Sequence, residues 1–222
     1  MIPPESDGEF AACMEDVLDV YSKPYDPSVP VVCMDEQPIQ LLKDTRVPIA
    51  ATQNHPVRVD YEYERAGTAS IFMFSEPLAG KRAVSVRTQR TKVDWALEID
   101  RLLQTQYANA KKVILVCDNL NTHTRGAFYE AFPAEKAREI VKRLEFHYTP
   151  KHGSWLNVAE CELSAMTSQC IKNRRFENIN FLIQETQAWA EKINKTQRGI
   201  NWQFSIEKAR NKLKSIYPKI EC

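Results

Sequence analysis

The chain has 222 residues, 43% of them hydrophobic, and a formal net charge of +1, enough apolar material for a sizeable core in one domain with additions, or in two. No apolar run approaches the roughly 20 residues of a bilayer span, and the acidic opening MIPPESDGEF lacks the basic and apolar blocks of a signal peptide, so the expected location is cytoplasmic. Six cysteines include no CxxC pair and mostly sit in apolar segments, which argues for reduced core residues rather than a disulfide framework or a zinc site. Charge is unevenly spread: residues 136–222 hold 16 Lys/Arg against 9 Asp/Glu, whereas residues 1–135 hold 14 against 20. That asymmetry is compatible with a polyanion lying across the C-terminal part, and equally with a solvated helical face.

In chain order, residues 6–21 read as an amphipathic helix opened by a capping box, Ser6 with Glu9, and ended by the prolines of SKPYDPSVP. The apolar run at 31–35 is a strand that closes on adjacent acids, Asp35 and Glu36. Residues 57–89 are rich in β-formers and read as two or three strands with AGT and PLAGK as turns, so a meander follows the first strand. Residues 92–107 are helical, 111–119 are a buried strand that also ends on an acid, and a helical stretch near 124–142 leads to a short strand at 144–149. Helices at about 155–171, 177–194 and 205–216 close the chain. Neither an internal repeat nor a low-complexity segment is present.

Two buried strands thus carry an aspartate, Asp35 and Asp118, at their C-terminal ends, where α/β sheets with parallel neighbours place their sites. If adjacent, the two carboxylates repel, raising one pKa or requiring a cation between them, and an oxygen-rich set of this kind suits Mg²⁺ or Mn²⁺. Glu36 leaves the opposite face of the strand and is expected to be solvated. A third carboxylate is available on the helix after residue 155, but Glu160 and Glu162 flank its core arc about equally by the 100° per residue rule, so geometry alone does not choose between them.

Three segments, VVCMDE, VILVCDNLNTH and HYTPKHGSWLNVAE, resemble, in this order, the catalytic core of bacterial insertion-sequence transposases of the mariner-related DDE superfamily. The likeness runs from about residue 2 to residue 218, including YEYERAGTA and ARNKLKSIYP. It implies an α/β, ribonuclease H-like mixed sheet of about five strands flanked by helices, with residues 1–30 as an N-terminal helix and linker and 31–222 as the catalytic domain. It selects Glu160 by its place in LNVAE, giving Asp35, Asp118 and Glu160 as catalytic and metal-holding residues for Mg²⁺ or Mn²⁺, two ions per site, with Asn119, His123 and Asn157 in support. The implied chemistry is cleavage at transposon ends followed by attack of the freed 3′ hydroxyl on target DNA.

DNA is therefore the expected partner, as terminal inverted repeats and target, with a homodimer as a further expectation, no membrane, and a nucleoid-associated place in the cell. Relatives carry helix-turn-helix modules ahead of this core; the chain starts almost at the core, and the recognition domain is expected to be absent. Lys151, His152, Trp155, Lys172, Arg174 and Arg175 are the candidate DNA-binding residues. A helix C-terminus favoured by its dipole equally explains Lys172 to Arg175, and a core anchor suits Trp155 better. Two other readings stand beside the transposase: a nuclease of the same fold without strand transfer, and a non-catalytic DNA-binding or dimerising remnant.

Overall fold

A computed structural model describes residues 7–196 and 198–218. Among these, five strands form one mixed sheet in the order β3-β2-β1-β4-β5. They are β1 (Val31–Asp44), β2 (Tyr63–Glu76), β3 (Lys81–Arg87), β4 (Val113–Cys117) and β5 (Leu144–Tyr148). β1 runs antiparallel to β2 and β2 to β3, while β4 is parallel to both β1 and β5. The helices are α1 (Gly8–Ser22), α2 (Lys92–Gln104), α3 (Arg125–Ala131), α4 (Ala134–Lys142), α5 (Val158–Met166), α6 (Ile179–Asn194) and α7 (Ile206–Lys212). No helix among the described residues is long and apolar enough to cross a membrane.

The sheet is covered on both sides, and the period-2 alternation of its side chains divides the core in two. Cys33, Ile71, Met73, Ile114 and Val116 pack with residues of α1, α5, α6 and α7. Val32, Met34, Phe72, Phe74, Leu115 and Cys117 pack with those of α2, α3 and α4. Burial on both faces is why the strands read as continuous apolar runs.

Several local readings are corrected. β1 does not end at Asp35 but continues to Asp44; its pairing with β4 covers Val31 to Cys33, and beyond that its ladder is with β2. Loss of the parallel neighbour still exposes the backbone just where the acids sit. It also explains how Pro38 is tolerated within a strand, since a proline cannot donate to a second neighbour. AGT is not a turn: Gly67, at φ 105°, lies within β2, where the register with β1 shifts between Gln40 and Leu42. This is a β-bulge, whose unusual backbone glycine supplies without cost to a side chain. The turn at PLAGK is as read, with Gly80 at φ 64° between β2 and β3.

The stretch 124–142 is two helices, because the ring of Pro133 disfavours helical backbone at Phe132, which is extended. α1 is capped by Asp7, whose carboxylate accepts from the Phe10 amide at 3.0 Å; Ser6 lies outside the described residues. The five described cysteines are unbridged, with Cys33, Cys117 and Cys170 buried.

One ion pair fixes how α5 sits on the sheet. Glu162 is buried and receives two hydrogen bonds from Arg82 of β3, Nη2 to Oε1 at 2.7 Å and Nε to Oε2 at 3.0 Å. Arg82 Nη1 also donates to the Gly80 carbonyl at 2.8 Å. Removing one member of such a pair strands the other charge in a poorly solvated place. Glu162→Ala is therefore expected to lower the unfolding free energy by about 3–5 kcal/mol. A urea titration checks this, and a loss below about 1 kcal/mol, the scale of a surface pair, would show that the pair does not anchor the helix.

Candidate active site

Asp35 follows Cys33 on the face of β1 that α5 covers, and Asp118 is the first residue after β4. Glu160 stands in the first turn of α5 and is exposed. Asn157 ties that helix to β1. Its Oδ1 accepts from the Ala159 amide at 3.1 Å, capping α5, while its Nδ2 donates to the Met34 carbonyl at 2.8 Å. A buried amide that satisfies a helix end and a strand carbonyl at once sets the spacing between Glu160 and Asp35. The Tyr21 hydroxyl, donating to the Leu156 carbonyl at 2.7 Å, fixes the turn just before it.

The three acids share one electrostatic field. Burial, together with the negative charges of Asp118, Glu160 and Glu36, pushes the Asp35 carboxyl up to about 6, against the Glu36 amide that donates to its Oδ1 at 2.7 Å. The donor set is all oxygen and multiply acidic, which fits a hard divalent ion. Among the described residues no three His, Cys, Asp or Glu side chains already form a closed ligand group, so an ion would need side-chain rotation to be held by all three acids.

Glu162 does not belong with them, because its carboxylate is committed to Arg82 on the buried side of α5. The helical wheel treats Glu160 and Glu162 alike; the difference between them is that Glu162 has a partner 80 residues away in sequence.

Glu36 is not solvated. It does leave the face opposite Asp35, but α2, α3 and the loop after β4 cover that face, and its side chain is 3% exposed. Its Oε1 lies 3.1 Å from His123 Nε2, and His123 Nδ1 lies 2.5 Å from Asp118 Oδ1. Burial opposes the imidazolium, but hydrogen bonds to Asp118 and Glu36 outweigh it and carry His123 up to about 9. Trp95 covers the imidazole with ring centroids 5.4 Å apart, and the Tyr148 hydroxyl donates to the His123 carbonyl at 2.9 Å. Asn119 is exposed in the loop after β4.

The basic candidates separate. Arg174 pairs with Glu185 at 2.7 Å and donates to the Cys170 carbonyl at 3.1 Å, closing the turn after α5. Arg175 binds the Asp44 carboxylate at 2.6 Å and the carbonyls of Asp60 and Glu62, fastening the base of the segment that joins β1 to β2. These two guanidiniums act within the protein. Trp155 is partly buried and packs edge-on against Phe204 at 5.7 Å, as a core anchor does. Lys151, His152 and Lys172 have exposed side chains.

A family model described as DDE superfamily endonuclease matches residues 30–183. Among curated proteins no sequence matches. Solved structures of the Mos1 transposase share the fold. Its strand transfer complex has a TM-score of 0.60 at 14% identity, covering 100% of this chain and 65% of that one. The mariner paired end complex with Mg gives 0.58 at 14%, covering 99% and 66%, and that with Mn gives 0.57 at 14%, covering 96% and 63%. The chain spans less than two thirds of these Mos1 chains. The likeness makes the mixed sheet and its helices ribonuclease H-like.

The raised Asp35 has a consequence for stability. Between its ordinary value of 3.8 and about 6, the native state keeps a proton that the unfolded chain has lost, so folding loses ground as pH rises through that window. At neutral pH Asp35 therefore destabilises the metal-free fold. Asp35→Asn should add up to about 3 kcal/mol there, and the gain should vanish below about pH 4. Urea unfolding of chelator-treated protein at pH 7.5 and pH 3.5 checks this; equal stability of the two proteins at pH 7.5 would mean that neither burial nor the neighbouring acids raise the Asp35 carboxyl.

Proposed function

The chain belongs to the DDE superfamily endonucleases, and from that premise we propose that Asp35, Asp118 and Glu160 form its catalytic, metal-holding centre and that it is the catalytic domain of a DNA transposase. The observation that carries the reading is the shared field of these three carboxylates around Asp35, all within the matched residues 30–183. They would hold Mg²⁺ or Mn²⁺, two ions per site, which when bound polarise a phosphate and lower the pKa of the attacking water or 3′ hydroxyl. The chain's own part is positional. Asn157 sets Glu160 against β1, the Glu36 amide orients Asp35, and His123 occupies one oxygen of Asp118.

The Mos1 structures hold a paired transposon end and a strand transfer complex. By the same reading this chain acts on its own terminal inverted repeats and on target DNA, with two copies pairing the ends. Lys151 and Lys172 are the candidates to meet the DNA backbone, with exposed His152 next to the first and Asn119 next to Asp118 in the chain; contacts of this kind position a duplex without reading it.

Cleavage is tested with a supercoiled plasmid carrying the inverted repeats that flank the coding sequence, with Mg²⁺ or Mn²⁺, scored for nicks, double-strand breaks and joined products. Glu160→Gln should abolish all three while leaving the melting temperature within a few degrees of wild type, since its side chain is exposed. Retained cleavage in that variant would remove Glu160 from the centre. Nicking without joining in the wild type would favour a nuclease.

DNA affinity should fall with salt at a log-log slope of about −0.9 per neutralised phosphate. Replacing both Lys151 and Lys172 by alanine should lessen that slope by roughly 2 on specific and scrambled duplexes alike. An unchanged slope would place the DNA elsewhere.

A further inference from the structure

Glu36 has no part in a three-carboxylate centre, yet it is more deeply buried than Asp118 or Glu160. Its side chain is 3% exposed and that of His123 1%, against 34% for Asp118. Burying a carboxylate costs several kcal/mol unless a partner compensates it, and here the partner is itself turned toward the proposed centre. Both ring nitrogens of His123 face carboxylate oxygens, Nε2 toward Glu36 and Nδ1 toward Asp118. The ring therefore bridges the two side chains, one nitrogen to each. The ring cannot turn without breaking one of these bonds, and it is further held by Trp95 and by the Leu120 carbonyl, which accepts the His123 amide at 3.0 Å.

His123 is thus a fixed spacer between β1 and the loop after β4. Asp118 follows its strand in that loop, where its backbone alone leaves the carboxylate free to choose among rotamers. The spacer takes up one of its two oxygens. We propose that Glu36 is a positioning residue: acting through His123, it holds the Asp118 carboxylate in the orientation that serves a divalent ion. This rests on the reading of Asp118 as a metal ligand. The adjacent acids of β1 then have complementary tasks, Asp35 entering the centre directly and Glu36 aiming the second acid from the far side of the sheet.

The probe is Mn²⁺ alone, titrated calorimetrically into the full chain without DNA, with circular dichroism and thermal melting as fold controls. Glu36→Ala should weaken Mn²⁺ affinity by tenfold or more, the effect expected when a ligand loses its outer support. Glu36→Gln retains an oxygen that accepts from Nε2 and should bind within about threefold of wild type. Because Glu36→Ala leaves the buried His123 ring with one side-chain partner, a second variant removes the pair as a unit. Glu36→Leu/His123→Leu replaces a buried ion pair by apolar side chains, a change that proteins often tolerate; it should fold, and still lose tenfold or more in affinity.

Wild-type affinity in either the alanine or the double-leucine variant overturns the proposal, as does a glutamine variant no better than alanine. If the wild type itself fails to bind Mn²⁺, the metal-centre reading falls and this inference with it. Binding by wild type with no change in the variants sinks the inference alone.

Discussion

Successive side chains of a strand leave on opposite faces, and at Asp35 and Glu36 this rule sends neighbouring charges into different layers of the molecule. One enters the space under α5, among other acids; the other enters the layer made by α2 and α3, where an imidazole awaits it. Two carboxylates sharing one environment would repel and one would take a proton. Divided by the sheet, they act on separate partners. The arrangement depends on β1 losing its parallel neighbour after Cys33, which opens the backbone at the point where both layers can be reached.

The helix that carries Glu160 is held from three directions. Arg82 grips it through Glu162, Asn157 bonds its first turn to the Met34 carbonyl, and the Thr167 hydroxyl donates to Gln37 Oε1 at 2.9 Å just beyond its end. Each contact joins α5 to β1 or β3, so an exposed carboxylate is borne on a helix whose own orientation is over-determined. Acids under mutual repulsion would otherwise push their supports apart, and rigidity here offsets a local electrostatic cost.

Much of this was readable from the chain itself. The strand starts at 31 and 113, the acid that follows the second strand and the order of elements come from apolar runs and turn residues, which are local signals; the first strand runs on past its acids to Asp44. What failed was non-local. The pleat predicts which face Glu36 leaves by, but not that a histidine 87 residues on will cover it. A helical wheel treats Glu160 and Glu162 alike until Arg82 arrives from β3. Arg174 and Arg175 look like a basic patch until Glu185 and Asp44 are seen beside them. The glycine of AGT signals unusual backbone correctly, but a bulge inside a long strand and a turn between two short ones demand the same residue. Choice of the third acid rests on family likeness; what the structure adds is that Glu162 is engaged by Arg82.

The flank of β1 beyond Cys33 has a consequence for solubility. A strand edge with unused amides and carbonyls is a template on which another chain can polymerise. Here those groups are consumed one after another: the Met34 carbonyl by Asn157, the Glu36 amide by Asp35, and the Leu42 amide by the Phe176 carbonyl at 2.9 Å, while Pro38 has no amide to offer. The flank beside the acids is thereby denied to a stray β-strand, and the end of the parallel pairing at Cys33 does not leave a free template.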